Sequence, residues 1–252
     1  MPSSTHPRSF GGRHELGQNF LADRRVAARI ADLVPLGATL ELGPGDGALT
    51  RHLAARPGLV TAVELDPVRV AALRRSLGHR VHVVHDDMLR FRFDGEHHVV
   101  SNVPFGITTP LLRHLLAQQD WITAVLLLQW EVARKRAAVG GTTLLTASWW
   151  PWYEFGLAGR VPAAAFRPRP GVDGGILVVT RRDRELVARA DRARYQQLVR
   201  TTFSGDRLIT TLRRAHPAIR TWLARQGLAT STRPRDLTAQ HWASLFGSMP
   251  RP

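Results

Sequence analysis

The chain has 252 residues, of which 44% are hydrophobic and 22% charged, a mix that supports a packed core. It has no cysteine, which excludes disulfides, thiolate metal sites and cysteine nucleophiles. The formal net charge is +15, carried almost wholly by arginine (Lys135 is the single lysine), and a surplus of that size points to a polyanion, either nucleic acid or an acidic membrane surface. Met1 to Gly12 lacks an apolar signal core, and the longest strongly apolar run, Ala124–Leu128, is too short to span a bilayer, so a cytoplasmic protein without a membrane partner is expected.

Residues 1–13 are rich in Ser, Pro, Gly and Arg and read as a flexible arm. Short apolar runs then alternate with amphipathic stretches. Strands are expected at Thr39–Leu42, Val60–Glu64, Val81–His85, His98–Ser101, Ala124–Gln129 and Ile176–Thr180. Helices are expected at Arg24–Leu33, Gly47–Ala55, Pro67–Leu77, Thr109–Ala117 and Trp130–Ala138. This alternation predicts an α/β fold with a mainly parallel sheet covered by helices, whose ligands bind outside the carboxyl ends of the strands. Past Arg182 only helical spacing remains, as in Tyr195, Leu198, Val199 and Phe203, or Trp242, Leu245 and Phe246. The expected organisation is an arm over 1–13, an α/β unit over 14–182 and a small all-helical unit over 183–252. The last carries 13 arginines against 5 acids, a balance suited to phosphate contact.

Glu41-Leu42-Gly43-Pro44-Gly45-Asp46-Gly47 joins the first of these strands to a helix. Glycines there let the backbone turn tightly and approach a ligand. Alone, such a turn fits a plain connection or a dinucleotide site equally well. Two features favour S-adenosylmethionine over a dinucleotide: the acid Glu41 ahead of the glycines, and Pro44 where a pyrophosphate would need a free backbone N–H. Glu64 ends the second strand, where a carboxylate accepts from ribose hydroxyls. Asp86-Asp87 end the third, where a carboxylate can accept from an adenine amine.

Asn102-Val103-Pro104-Phe105 ends the fourth strand. The lone pair of an adenine N6 is delocalised into its ring, so the amine needs neutral acceptors to polarise it. The Asn102 side-chain carbonyl and a backbone carbonyl near Val103 are two such groups, able to hold the nitrogen in line with a methyl donor. Pro104 fixes the carbonyl direction, and Phe105 offers a ring for stacking on an extruded base. The alternative is a strand ending in a Pro turn over a buried Phe. Phe166-Arg167-Pro168-Arg169-Pro170 sets an aromatic beside two guanidiniums in a stiff loop, fit either for base and phosphate contact or for a solvated turn. Arg134 and Arg136 lie on an expected helix, facing solvent or RNA. Trp149, Trp150 and Trp152 are expected to pack internally.

Gly17-Gln18-Asn19-Phe20-Leu21, the Glu41–Gly47 loop, Glu64-Leu65-Asp66, Asp86-Asp87 and Asn102–Phe105, in this order, resemble the rRNA adenine-N6 methyltransferases, which include the erythromycin-resistance (Erm) enzymes and the KsgA-type dimethyladenosine transferases. The stretches Gln129–Arg136, Trp149-Trp150 and Ala165–Gly175 are more similar to the Erm enzymes of actinomycetes. The resemblance implies a Rossmann-like class I methyltransferase sheet with helices on both faces, S-adenosyl-L-methionine as cofactor and S-adenosyl-L-homocysteine as product. It also implies mono- or dimethylation of one adenosine of 23S rRNA at the macrolide-binding region, before the ribosome is fully assembled, by a monomer. Resistance to macrolides, lincosamides and streptogramin B would follow. The cofactor residues are then Asn19, Leu21, Gly43, Gly45, Glu64, Asp87 and Asn102. The catalytic ones are Asn102, Pro104, Phe105 and Phe166, with Phe166 flanking the target base, and Arg134, Arg136, Arg167 and Arg169 contact RNA; no metal is implied. Most relatives carry Tyr where this chain has Phe105, which keeps the stacking face and removes any role for the hydroxyl. A KsgA-type enzyme of 16S rRNA, a DNA adenine methyltransferase and a non-catalytic nucleic-acid binder are the competing readings.

Overall fold

The computed structural model describes residues 19–250. The expected arm over 1–13, together with Gly17 and Gln18, lies outside the described residues.

A short strand β1 (Phe20–Leu21) enters α1 (Arg24–Asp32), whose N-terminus is capped by Asp23 Oδ1 accepting from the Arg25 and Val26 amides at 2.8 and 3.2 Å. The alternating units follow as β2 (Thr39–Leu42), α2 (Ala48–Ala54), β3 (Val60–Glu64), α3 (Pro67–Leu77), β4 (Val81–His85), β5 (His97–Asn102), α4 (Thr108–Ala117), β6 (Trp121–Gln129) and α5 (Trp130–Arg136). Asp66 caps α3, and Pro67 takes the first helical position, where an amide would lack a partner in any case. Then come α6 (Leu144–Trp149), β7 (Tyr153–Val161), β8 (Phe166–Arg167) and β9 (Gly174–Arg181). The remainder holds α7 (Arg192–Phe203), α8 (Leu208–Leu212), α9 (Ile219–Arg225) and α10 (Ala239–Ser248), with no strand among the described residues beyond Arg181.

Seven strands form one sheet in the order β4-β3-β2-β5-β6-β9-β7. The first five are parallel, and β9 runs antiparallel to both β6 and β7. The expected mainly parallel sheet is therefore present, with one reversed strand where Ile176–Thr180 was expected to join it. Chain order diverges from β2, toward β3 on one side and β5 on the other, which opens a crevice at their carboxyl ends. β6 is buried along almost its whole length, as its unbroken apolar run requires of a central strand. One apolar layer joins the sheet to α1, α2 and α3 through Ile30, Leu53 and Leu73. The other joins it to α4 and the C-terminal helices through Leu112, Tyr195 and Trp242. The resulting Rossmann-like sheet with helices on both faces is the expected fold class.

Three strands escape the sequence pattern. In β7 burial alternates, but Gly156 and Gly159 offer no apolar side chain to mark it, and a bulge sits between Leu157 and Gly159, where Gly159 takes φ +139°. β1 and β8 are two residues each and exist only by pairing with one another, Phe20 opposite Arg167 and Leu21 opposite Phe166. The internal packing expected of the tryptophans is present: Trp152 is buried, donates from Nε1 to the Val187 carbonyl at 2.8 Å, and meets Tyr195 edge-on at 5.5 Å. Trp149 and Trp150 pack against the same core. No helix among the described residues is long and apolar enough to cross a membrane.

Candidate active site

The turn from β2 into α2 needs three left-handed backbones in five residues, with φ of +69° at Gly43, +54° at Gly45 and +80° at Gly47. At Gly43 close approach adds to this, because a Cβ there would lie 2.5 Å from the Met88 methyl. The turn and the neighbouring strand ends enclose a cavity of about 370 Å³. Glu64, at the end of β3, reaches across it: Oε2 accepts from the Gly45 amide at 3.0 Å and Oε1 from the Asp66 amide at 2.9 Å. Each oxygen keeps a second lone pair, enough for two hydroxyl donors. Asp87, beyond β4, accepts from the Leu89 amide at 2.8 Å through Oδ1 and lies 3.9 Å from Arg90.

Asn102 ends β5 opposite Leu127 of β6. Its Nδ2 donates to the Asn19 carbonyl at 2.9 Å, which orients the amide and leaves Oδ1 free to accept. The N-terminal segment thus sets the working face of a residue far from it in sequence. That segment is itself held by β8 and by the Ala165 carbonyl, which accepts from the Ala22 and Asp23 amides at 2.8 and 3.1 Å.

Glu41 is 2% exposed beneath the glycine turn, and its Oε2 has no hydrogen-bond partner. Burial lifts its carboxyl to about 7, the Thr50 hydroxyl opposing and the Glu64 carboxyl adding to the shift. Among the described residues four acids line the cavity, Glu41, Asp46, Glu64 and Asp87, against the single guanidinium of Arg167. In a chain of net charge +15 that local inversion disfavours a phosphate-bearing cofactor and favours a nucleoside carrying positive charge. Leu65, Met88, Leu89 and Phe20 supply apolar walls on which a planar base can lie. Such a cavity on such a sheet places the chain among the Rossmann-like methyltransferases.

The comparisons with known proteins narrow the class. A model of the family described as ribosomal RNA adenine dimethylase matches residues 9–250. The chain is 55% identical over 246 residues to the mycinamicin-resistance protein MyrB of Micromonospora griseorubida, a match covering 94% of this chain and 79% of that protein. It is 47% identical over 198 residues to an rRNA adenine N-6-methyltransferase of Corynebacterium diphtheriae, covering 77% of this chain and 78% of the other. Among solved structures, the 23S rRNA methyltransferase ErmE superposes with a TM-score of 0.86 at 32% identity, over 92% of this chain and 99% of that one. The chain belongs to the ribosomal RNA adenine dimethylase family.

Of the residues singled out in the sequence, Asn19, Leu21, Gly43, Gly45, Glu64, Asp87, Asn102, Pro104 and Arg167 all line this one cavity. Phe105 sits half-buried in a 3-10 turn (Phe105–Ile107) behind Pro104, beside the cavity wall rather than in it. Phe166 stands elsewhere. It is 0% exposed, packed among Leu127, Val161 and Ile176, so the ring expected to flank a base has no free face. The β1–β8 pairing is the cause: it turns Arg167 outward to the cavity and Phe166 inward. Arg134 pairs with Glu131 at 3.2 Å, and Arg169 is exposed in its loop. Arg136 folds back onto Thr109 and Thr143. Phe20, Leu65, Met88 and Leu89 were missed. The signal available was apolar residues directly following the strand-end acids, Leu65 after Glu64 and Met88 after Asp87.

Proposed function

We propose that this chain transfers methyl groups from S-adenosylmethionine to N6 of one adenosine in the macrolide-binding region of 23S rRNA, conferring resistance to macrolides, lincosamides and streptogramin B. The likeness to the 23S rRNA methyltransferase ErmE, with a TM-score of 0.86 at 32% identity, is the observation that carries the 23S target, and the 55% identity to a mycinamicin-resistance protein supports the resistance. Bound S-adenosylmethionine supplies a methyl group already activated on a sulfonium sulfur. The protein's work is therefore orientation and exclusion of water. Glu64 offers acceptors to the ribose hydroxyls, Asp87 to the adenine amine, and the buried Glu41 a negative charge toward the methionine ammonium. Asn102 Oδ1 accepts from the target amine and turns its lone pair toward the cavity, with the Asn19 carbonyl holding the amide in that sense. Pro104 fixes the backbone so that the adjoining Val103 carbonyl is directed as a second acceptor, and Phe105 stacks on the extruded base. In this reading residues 14–182 bind cofactor and carry the chemistry, and the basic helical part, 183–252, contributes RNA contacts together with Arg134, Arg136, Arg167 and Arg169. The protein acts as a monomer in the cytoplasm, on RNA not yet fully assembled.

Labelled S-adenosylmethionine with protein-free 23S and 16S rRNA, the modified base mapped by primer extension, tests this. Label is expected at one 23S adenosine. It should fall by orders of magnitude in Asn102→Ala while calorimetric binding of S-adenosylhomocysteine changes little. Label confined to 16S rRNA would move the chain to the small-subunit enzymes, and absence of label would leave a binder without turnover.

A further inference from the structure

Arg136 is held unlike any other half-buried arginine among the described residues. Arg69, Arg134, Arg181, Arg182 and Arg189 reach carboxylates, Arg56 reaches backbone carbonyls, Arg192 an indole, and Arg194 a carbonyl and a phenyl ring. Arg136 ends on two hydroxyls, Thr143 Oγ1 at 3.0 Å and Thr109 Oγ1 at 3.4 Å, and its Nε is buried without a partner. The charge facing it is Arg113, exposed on α4 one turn beyond Thr109 and on the same helix face. Among the described residues neither guanidinium has a carboxylate within 4 Å.

Two cations brought together without an acid are unfavourable unless an anion arrives. Burial and the Arg113 charge both weaken the hold of Arg136 on its proton, as expected of a cation awaiting a counter-charge. The neighbourhood favours such an anion further, because α4 has no side-chain cap at Ile107 and no acid in its first turn. The location fits the substrate, since Ile107 lines the cavity and Thr109 follows two residues later. Arg136 closes α5, which leaves the same carboxyl edge of the sheet.

We propose that Arg136, with Arg113 and the Thr109 and Thr143 hydroxyls, seats a phosphodiester of the RNA substrate beside the cavity. The seat rests on the RNA-methylating reading above and deepens it: it fixes the strand next to the extruded nucleotide. Arg134, paired to Glu131 on the same helix, has no part in it.

The test is binding of a hairpin transcript spanning the target 23S adenosine, by fluorescence anisotropy over rising potassium chloride. Arg136→Gln and Arg113→Gln should each lower the slope of log affinity against log salt by about 0.7–0.9, one phosphate contact. Arg136→Lys should restore the slope, and S-adenosylhomocysteine affinity should stay unchanged throughout. A folded Arg136→Gln with the parental slope would overturn the seat and leave Arg136 as a clamp between α4 and α6, a role that lowers only the melting temperature. Should Arg136→Gln fail to fold, the exposed Arg113→Gln decides by the same criterion. Inorganic phosphate at matched ionic strength is the control: displacement of RNA from the parent but not from Arg136→Gln is expected of a phosphodiester seat, whereas equal displacement from both would overturn it. Methylation of the transcript by the parent protein reports separately on the function itself.

Discussion

Glu41 is the residue whose charge state the fold changes most clearly. Its carboxyl titrates near 7 when folded and near 4.5 when unfolded. Between these values the folded chain keeps a proton that the unfolded chain has released, so Glu41 lowers stability progressively as pH rises from 4.5 to 7, and fully above 7. Glu41→Gln removes that loss. In urea titrations without cofactor, the variant should gain about 2–3 kcal/mol on the parent between pH 5 and pH 8; parallel pH profiles would mean that the Glu41 carboxyl is solvated in the folded chain. Phe166 makes the opposite point. A ring that reads as a base platform in sequence is core in the fold, and Phe166→Ala should cost about 3–5 kcal/mol of folding stability. Its methylation, assayed well below the lowered melting temperature, should then be close to parental. Undiminished stability with weakened RNA methylation would return Phe166 to the base-flanking role.

At the scale of elements, legibility followed sequence distance. The β2–α2 turn and the strand ends at Glu64, Asp87 and Asn102 are each written in a few consecutive residues, by glycine, proline and acid spacing. The β1–β8 pairing is not, because two-residue strands have no period to detect and derive their stability from a distant partner. The Asn19–Asn102 hydrogen bond follows from that pairing and was equally hidden. The seam between α6 and α7 was half visible, its aromatics plain and their partners not. Tyr195 is buried and donates to the Ala147 carbonyl at 2.7 Å, burial holding its phenol protonated well above the ordinary tyrosine range. Tyr195→Phe leaves that carbonyl unsatisfied and should lower stability by roughly 1–3 kcal/mol in urea unfolding, with RNA affinity falling only as the helical part loosens.

At the scale of the molecule, charge is distributed with a purpose that composition alone conceals. A chain of +15 gathers four acids around its cavity and leaves arginines for the outer surface, so one molecule can attract a polyanion and still favour a cationic cofactor. The core is likewise shared: Tyr195, Leu198 and Trp242 of the C-terminal helices lie in the same apolar cluster as Trp152 and Leu112. The sequence by itself determined the α/β alternation, the order of the strand-end motifs and the basic helical tail, because each depends on hydrophobic period, turn chemistry or composition over short stretches. Only the tertiary structure decided that β9 runs antiparallel, that Phe166 faces inward while Arg167 faces the cavity, and that Arg136 meets Arg113 without an acid. Those outcomes depend on which distant segments come into contact, and a one-residue change of strand register exchanges every inward side chain for its outward neighbour.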